Sequence, residues 1–301
     1  MENRVTRDHV FFAFSKDLPP VLSIQPGDEV VLETHDCFEG QLKSEKDLVD
    51  ALDWDHVNPA TGPVYLTGAQ PGDLLKLEIR KIKVADTSIM VTVPGEGALG
   101  ERITQMETAV LKKENGTIVF KDKIRVSTAP MIGVIGLAPA EGQVGNGTPD
   151  THGGNMDCTL IKEGSTVYFR VNVDGALFGA GDFHAAMGDG EIVVCGAETA
   201  GEVTLKASLV KDQPALPTPF VVTPDLVATI FSAPGIDEAT AGAIDQMATF
   251  LTDVVKLPLN DAGMLMSLVG QAKFCQVVDP AKTIRFEFPR AVLEQYGFEM
   301  F

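Results

Sequence analysis

Three stretches of the chain concentrate side chains that can do chemistry. Gly181 to Glu191 carries Asp182, His184, Asp189 and Glu191 between glycines. Asp182 and His184 lie two apart, as do Asp189 and Glu191, so extended backbone would send each pair out of one strand face. One imidazole among three carboxylates can hold a divalent cation or serve as acid and base. The competing reading is a glycine-rich turn whose acids cap backbone amides. A strand is expected to follow over Ile192 to Cys195.

In the second stretch, His152 and Asp157 flank Gly153, Gly154 and Asn155. An Asn amide can donate to a developing oxyanion; a surface turn is the simpler reading. The third stretch, Glu33 to Gln41, places His35, Asp36 and Cys37 just beyond an expected strand. Asp36 is either a site residue or a turn cap. Cys37 and Cys158 adjoin these groups, so a thiolate nucleophile competes with plain buried cysteine. His9, His35 and His56 have structural or solvated readings.

These stretches need a scaffold, and period-two alternation supplies it. Leu75, Leu77 and Ile79 alternate with Lys76, Glu78 and Arg80. The same pattern recurs over Val167 to Val173 and Val203 to Leu209. Each predicts a strand with one apolar face, and sheets with one wet face are usually antiparallel. Gln25-Pro26-Gly27-Asp28 and Gln70-Pro71-Gly72-Asp73 predict the same tight turn twice. Gly133 to Pro149 reads as a long loop dividing two β-rich regions, 1–145 and 146–301, unless the chain is one intertwined unit. Helical spacing appears late, over Ile236 to Val255 and again from Asn260 or Asp261. Strands are expected at Gln276 to Val278 and Thr283 to Phe288. The fold class is mainly β, with sandwich- or barrel-like antiparallel sheets and a smaller α/β portion near the C-terminus.

The chain has 301 residues and a net charge of −18. That charge, with no concentrated basic patch, opposes nucleic-acid binding. No stretch approaches the ~20 apolar residues of a membrane helix, and the first residues do not resemble a signal peptide. Four scattered cysteines argue against a zinc ribbon or a disulfide scaffold. A cytoplasmic setting follows as the expectation.

The three stretches, in their order along the chain, resemble the acetamidase/formamidase family. The resemblance extends through Asn58-Pro59-Ala60-Thr61-Gly62-Pro63-Val64-Tyr65, Gly68 to Asp73, Pro130 to Gly136, and Gln276-Val277-Val278-Asp279-Pro280. It implies hydrolysis of small linear amides, formamide or acetamide, to a carboxylate and ammonia. It also implies a homo-oligomer, often a dimer, and a divalent metal, zinc or calcium. Carried onto matching positions, the metal ligands become His184, Asp36, Asp157 and Asp182. The catalytic candidates become Asp189, Glu191, Asn155 and His152, with Asp189 or Glu191 moving the proton and Asn155 at the oxyanion. Other amide-hydrolase signatures fit poorly: no G-x-S-x-G elbow and no paired glycine/serine run stands out. Two alternatives stay open, a calcium-dependent β-sandwich binding module and a hydrolase using Cys37 or Cys158.

Overall fold

The computed structural model describes residues 3–213 and 215–301. Two large sheets carry the architecture. Strands Asn3–Val5, Glu29–Thr34, Gly201–Val210, Leu74–Val84, Thr166–Arg170, Phe220–Val222, Leu226–Ala233, Lys282–Pro289 and Gln271–Gln276 form the nine-stranded sheet. The eleven-stranded sheet is centred on Phe178–His184, which pairs with Met131–Leu137, Ala60–Leu66 and Glu198–Thr199. Among the described residues, pairing between these strands is antiparallel except where Asn3–Val5 meets Glu29–Thr34 and Leu22–Ile24 meets Ala60–Leu66. The sheets pack over one aliphatic core, with Leu32, Leu75 and Leu77 from the first meeting Ile132, Phe178 and Ala180 from the second. The sandwich-like β fold therefore stands as expected. Strands from both sides of residue 145 share both large sheets.

The alternating stretches form strands because alternation buries one side. In Leu74–Val84, Leu75, Leu77 and Ile79 are buried while Arg80 and Lys81 are exposed. The two Gln-Pro-Gly-Asp turns are built alike. Asp28 and Asp73 each accept the backbone N–H of the glutamine three residues earlier, at 2.9 and 3.0 Å. Gly27 and Gly72 supply the positive φ, +97° and +95°.

Near the C-terminus, helix Ile236–Thr249 lies on strands Leu226–Ala233 and Lys282–Pro289. It buries Ala239, Ala243 and Met247, the i, i+4, i+8 stripe of a helix against a sheet. Its continuation Phe250–Val254 is π-helical, with Val255 N donating to Phe250 O. The segment is over by Lys256, which has φ +70°, and after Pro258 the second helix runs over Leu259–Val269.

Three expectations need correction. Gly133 to Gly136 lies inside strand Met131–Leu137, not in a loop. Its glycines are there because neighbouring groups leave no room for side chains, not because the chain turns. Ile192 to Cys195 is irregular, and the paired residues are Glu198–Thr199. Val194 has φ +78°, which extended pairing does not allow. The strand expected at Gln276 to Val278 runs earlier, as Gln271–Gln276. The Gln276 side chain then caps the turn, accepting from Val278 N and Asp279 N.

Candidate active site

The strand Phe178–His184 delivers the central imidazole. His184 pairs with Met131 on one side and Glu198 on the other. Its ring is fully buried. Four carboxylates lie within 4.0 Å of Nε2 among the described residues: Glu198 Oε1 at 3.1 Å, Asp182 Oδ1 at 3.4 Å, Asp157 Oδ1 at 3.7 Å and Glu191 Oε1 at 3.9 Å. All four are buried.

The backbone departs from regular geometry to bring them in. Asp157, Asp182 and Glu191 have φ of +45°, +54° and +49°. Such conformations cost about 1–3 kcal/mol each for ordinary side chains and persist where surrounding structure imposes them. Gly133 makes space on the neighbouring strand. A Cβ there would stand 2.5 Å from Asp157 Oδ1 and 2.6 Å from Asp182 Oδ2. Gly196 does the same for the ring, since a Cβ there would lie 2.6 Å from His184 Nδ1.

Mutual burial sets the protonation tendencies. Burial pulls the His184 pKa down, but the charges of Glu198 and Asp182 outweigh it and hold it well above its ordinary value. Burial pushes Asp157 and Glu191 well above the usual carboxylate range, with neighbouring carboxylates adding to it at Asp157. Burial likewise raises Glu198 to about 8 and Asp279 to about 7. Asp182 goes the other way: burial opposes ionisation, and contact with His184 overcomes it.

Several of these atoms have no aligned hydrogen-bond partner among the described residues. They are both oxygens of Asp157, Asp182 Oδ1, Glu198 Oε2, Asn155 Oδ1 and both ring nitrogens of His184. An unpaired buried polar atom costs roughly 1–3 kcal/mol. Such unpartnered carboxylate oxygens gathered around His184 Nε2 are donors that a cation could satisfy. Two triads have ligand atoms within 4.8 Å of one another: Asp157, His184 and Glu191, and Cys37, Asp182 and Glu198. Imidazole and carboxylate donors suit zinc, and carboxylate oxygens suit calcium. The residues present therefore fit a divalent cation.

The cluster opens onto a cavity of about 370 Å³. Its polar lining comes from Asn155, Asp182, Glu191, Glu198, Asp279 and Cys37, together with Asn58 and Glu96. Asn155 Nδ2 donates to Asp279 Oδ2 at 3.0 Å, which leaves its second N–H.

The three stretches are thus brought together, though not every expected residue joins. His184, Asp157, Asp182 and Glu191 meet, with Asn155 beside them. Asp36 stands apart: its Oδ1 accepts the backbone N–H of Phe38 at 3.0 Å and of Gly40 at 3.2 Å, as a turn cap does. Asp189 is gripped by Arg285, with Nη1 2.9 Å from Oδ1 and Nη2 2.6 Å from Oδ2, and Thr159 donates to Oδ1. Burial would raise its pKa, but those bonds hold it below the usual range. The same-face expectation for Asp189 and Glu191 fails because the chain between them turns, with Gly190 at φ +102°. His152 packs edge-on against Phe14, ring centroids 5.3 Å apart, outside the cavity lining. Burial lowers its pKa to about 4.

Two carboxylates were missed. Glu198 is the only charged residue between Ile192 and Gly201, and that isolation in an uncharged run was its signal. Asp279 lies within Gln276 to Pro280, a stretch that carries the family resemblance but whose spacing does not single out the carboxylate. All four cysteines are free and buried. Cys37 faces the cavity, and burial holds its thiol well above the ordinary pKa. Cys158 lies instead against Cys275 and Arg285.

Comparison with known proteins follows the same direction. The profile of the Acetamidase/Formamidase family matches residues 2–146 and 143–233. A formamidase of Methylophilus methylotrophus is 27% identical over 255 residues, covering 65% of this chain and 63% of that protein. The chain thus spans less than two thirds of that relative's length. Among solved structures, an acetamidase from Bacillus halodurans superposes with TM-score 0.96 at 44% identity, over 98% of this chain and 100% of that one. A predicted acetamidase/formamidase from the thermophile Thermoanaerobacter tengcongensis gives TM-score 0.96 at 45% identity, over 100% and 99%.

Proposed function

The chain belongs to the acetamidase/formamidase family, and we propose on that footing that it hydrolyses small linear amides to a carboxylate and ammonia at the His184 cluster. One observation carries the reading: a buried imidazole ringed by four carboxylates, many of their atoms unpartnered, opens onto a cavity.

The amide carbonyl is bound beside Asn155, whose free N–H strengthens its hydrogen bond as negative charge develops on oxygen. Glu191 lines the cavity and takes a proton from the attacking water. The water oxygen bonds to the carbonyl carbon, and the C–N bond breaks as Glu191 returns that proton to nitrogen. Protonation matters because amide ion is a very poor leaving group. Asp279 orients Asn155 through their 3.0 Å hydrogen bond. Asp189, expected as the alternative base, is assigned to holding Arg285 instead. His152 and Asp36 are assigned to packing and turn capping.

A divalent cation, zinc or calcium, would be held by His184, Asp157, Asp182 and Glu198. Such an ion polarises a carbonyl and acidifies bound water. The same reading takes the enzyme as a cytoplasmic homodimer. The buried free cysteines suit a reducing compartment, and among the described residues no helix is long and apolar enough to cross a membrane. Light scattering of the purified protein tests the dimer.

Ammonia release from formamide, acetamide, propionamide and urea, with metal analysis of the same sample, tests the function. Release from formamide or acetamide supports it. Calcium-dependent ligand binding without ammonia from any amide would replace it with a binding module.

A further inference from the structure

The cavity is much larger than the smallest amides need. At about 30 Å³ per water-sized group, 370 Å³ holds roughly a dozen heavy atoms, whereas acetamide has about four. The space is also divided chemically. Asn155, Asp182, Glu191, Glu198 and Asp279 line it beside the His184 cluster, exposed Glu96 and half-buried Asn58 also border it, and Phe38, Val57, Val93, Val278 and Pro280 make an apolar wall.

Trp54 completes that wall and is 66% exposed. It is the only tryptophan in the chain. Its position is fixed rather than incidental. It opens the short helical turn Trp54–His56, which Asp53 caps by accepting from Asp55 N at 3.1 Å. Gln41 pins the same turn three times: Nε2 donates to Asp53 O and His56 O at 3.2 and 3.1 Å, and Oε1 accepts from Asp53 N at 2.8 Å. A large aromatic face held in water beside an apolar wall is suited to cover a ligand's apolar part.

We propose that this cavity selects primary amides carrying an unbranched apolar acyl chain of about five or six carbons, with Trp54 as the specificity-determining residue that covers the chain. The proposal rests on the amide-hydrolase reading and names the substrate class of that site. The carboxamide sits against Asn155 and Glu191, and the chain runs outward along Val57, Val278 and Pro280 beneath the indole. Each methylene moved from water onto this wall lowers KM about fourfold.

Hexanamide and acetamide are the probes, and tryptophan emission gives a readout independent of turnover. In Glu191→Gln, which leaves the amide intact, hexanamide shifts the emission to shorter wavelength and saturates. Acetamide at the same concentrations leaves it unchanged. In the otherwise native enzyme, Trp54→Ala raises KM for hexanamide about tenfold while acetamide stays within about twofold, and Trp54→Phe recovers most of the loss. Trp54 is exposed, so neither variant threatens folding. If acetamide is hydrolysed but hexanamide neither shifts the emission nor turns over, the proposal is overturned and the amidase reading survives. Equal KM changes for both amides in Trp54→Ala overturn it as well. A saturable hexanamide shift in a protein that releases no ammonia from any amide would instead sink the hydrolase reading and leave the cavity assignment standing.

Discussion

Gly133→Ala tests the geometry of the candidate site without replacing a charged group. The new methyl would stand 2.5 Å from Asp157 Oδ1, 2.6 Å from Asp182 Oδ2 and 2.9 Å from the Asp182 backbone oxygen. Ordinary contact needs about 3.5 Å, so both carboxylates, or the strand itself, must move by about 1 Å. Overpacking of this kind costs roughly 1–3 kcal/mol of stability. A misplacement near 1 Å in a preorganised site costs about 10²-fold in rate, which is about 2.7 kcal/mol of transition-state stabilisation. The expected outcome is therefore a folded protein whose kcat/KM for formamide or acetamide falls about a hundredfold. Gly145→Ala is the control, since a Cβ there meets nothing within 4 Å. Ammonia release and a urea midpoint would be measured on both. A Gly133→Ala enzyme with wild-type kcat/KM would refute the reasoning, because the crowded carboxylates would then not belong to the chemistry.

Three further outcomes are expected. Asp189→Asn removes half of the grip on buried Arg285; because Asp189 is 38% exposed, the loss is held to roughly 1 kcal/mol in urea unfolding, with kcat changed less than about threefold. A loss of activity comparable to that of a general base would return Asp189 to the reaction. His152 is buried, with its pKa lowered by burial to about 4 despite the pull of Asp150. The unfolded chain therefore takes up that proton first as pH falls. Stability is whole above the ordinary value near 6.5, and about 3 kcal/mol drains away between about pH 6.5 and 4. His152→Gln should flatten that part of the urea-midpoint profile, and an unchanged slope would contradict it. Chelation should lower Tm, and zinc or calcium should restore it in a concentration-dependent way, because binding to the folded state alone stabilises by mass action. A Tm indifferent to chelator and to both ions would remove the cation.

The strands and the C-terminal helices were legible because burial leaves a periodic trace. Leu75, Leu77 and Ile79 must face the core, and Ala239, Ala243 and Met247 must face the sheet. The site was legible in part, since Asp182, His184, Asp157 and Glu191 stand in glycine-rich stretches that repeat no packing period. What local spacing could not carry was direction. Asp189 and Glu191 share a stretch, yet the chain turns between them and sends one to Arg285 and the other to His184. Glu198 reaches the imidazole only through pairing across strands, which no local pattern encodes. Gly133 and Gly136 read as loop residues because glycine has the same letter whether it permits a turn or makes room for a neighbour. Asp36 has the chemistry of a ligand, and only its bonds to Phe38 and Gly40 distinguish it as a cap.

The most direct measurement compares ammonia release by the native protein and by Glu191→Gln, at equal folded concentration. Glu191 is buried, faces the cavity and lies 3.9 Å from His184 Nε2. Native protein should release ammonia from formamide or acetamide, and Glu191→Gln should do so about 10²–10⁴-fold more slowly with its urea midpoint preserved. Equal rates in the two proteins would contradict the assignment of proton transfer to this carboxylate, and with it the placement of the reaction at the buried imidazole.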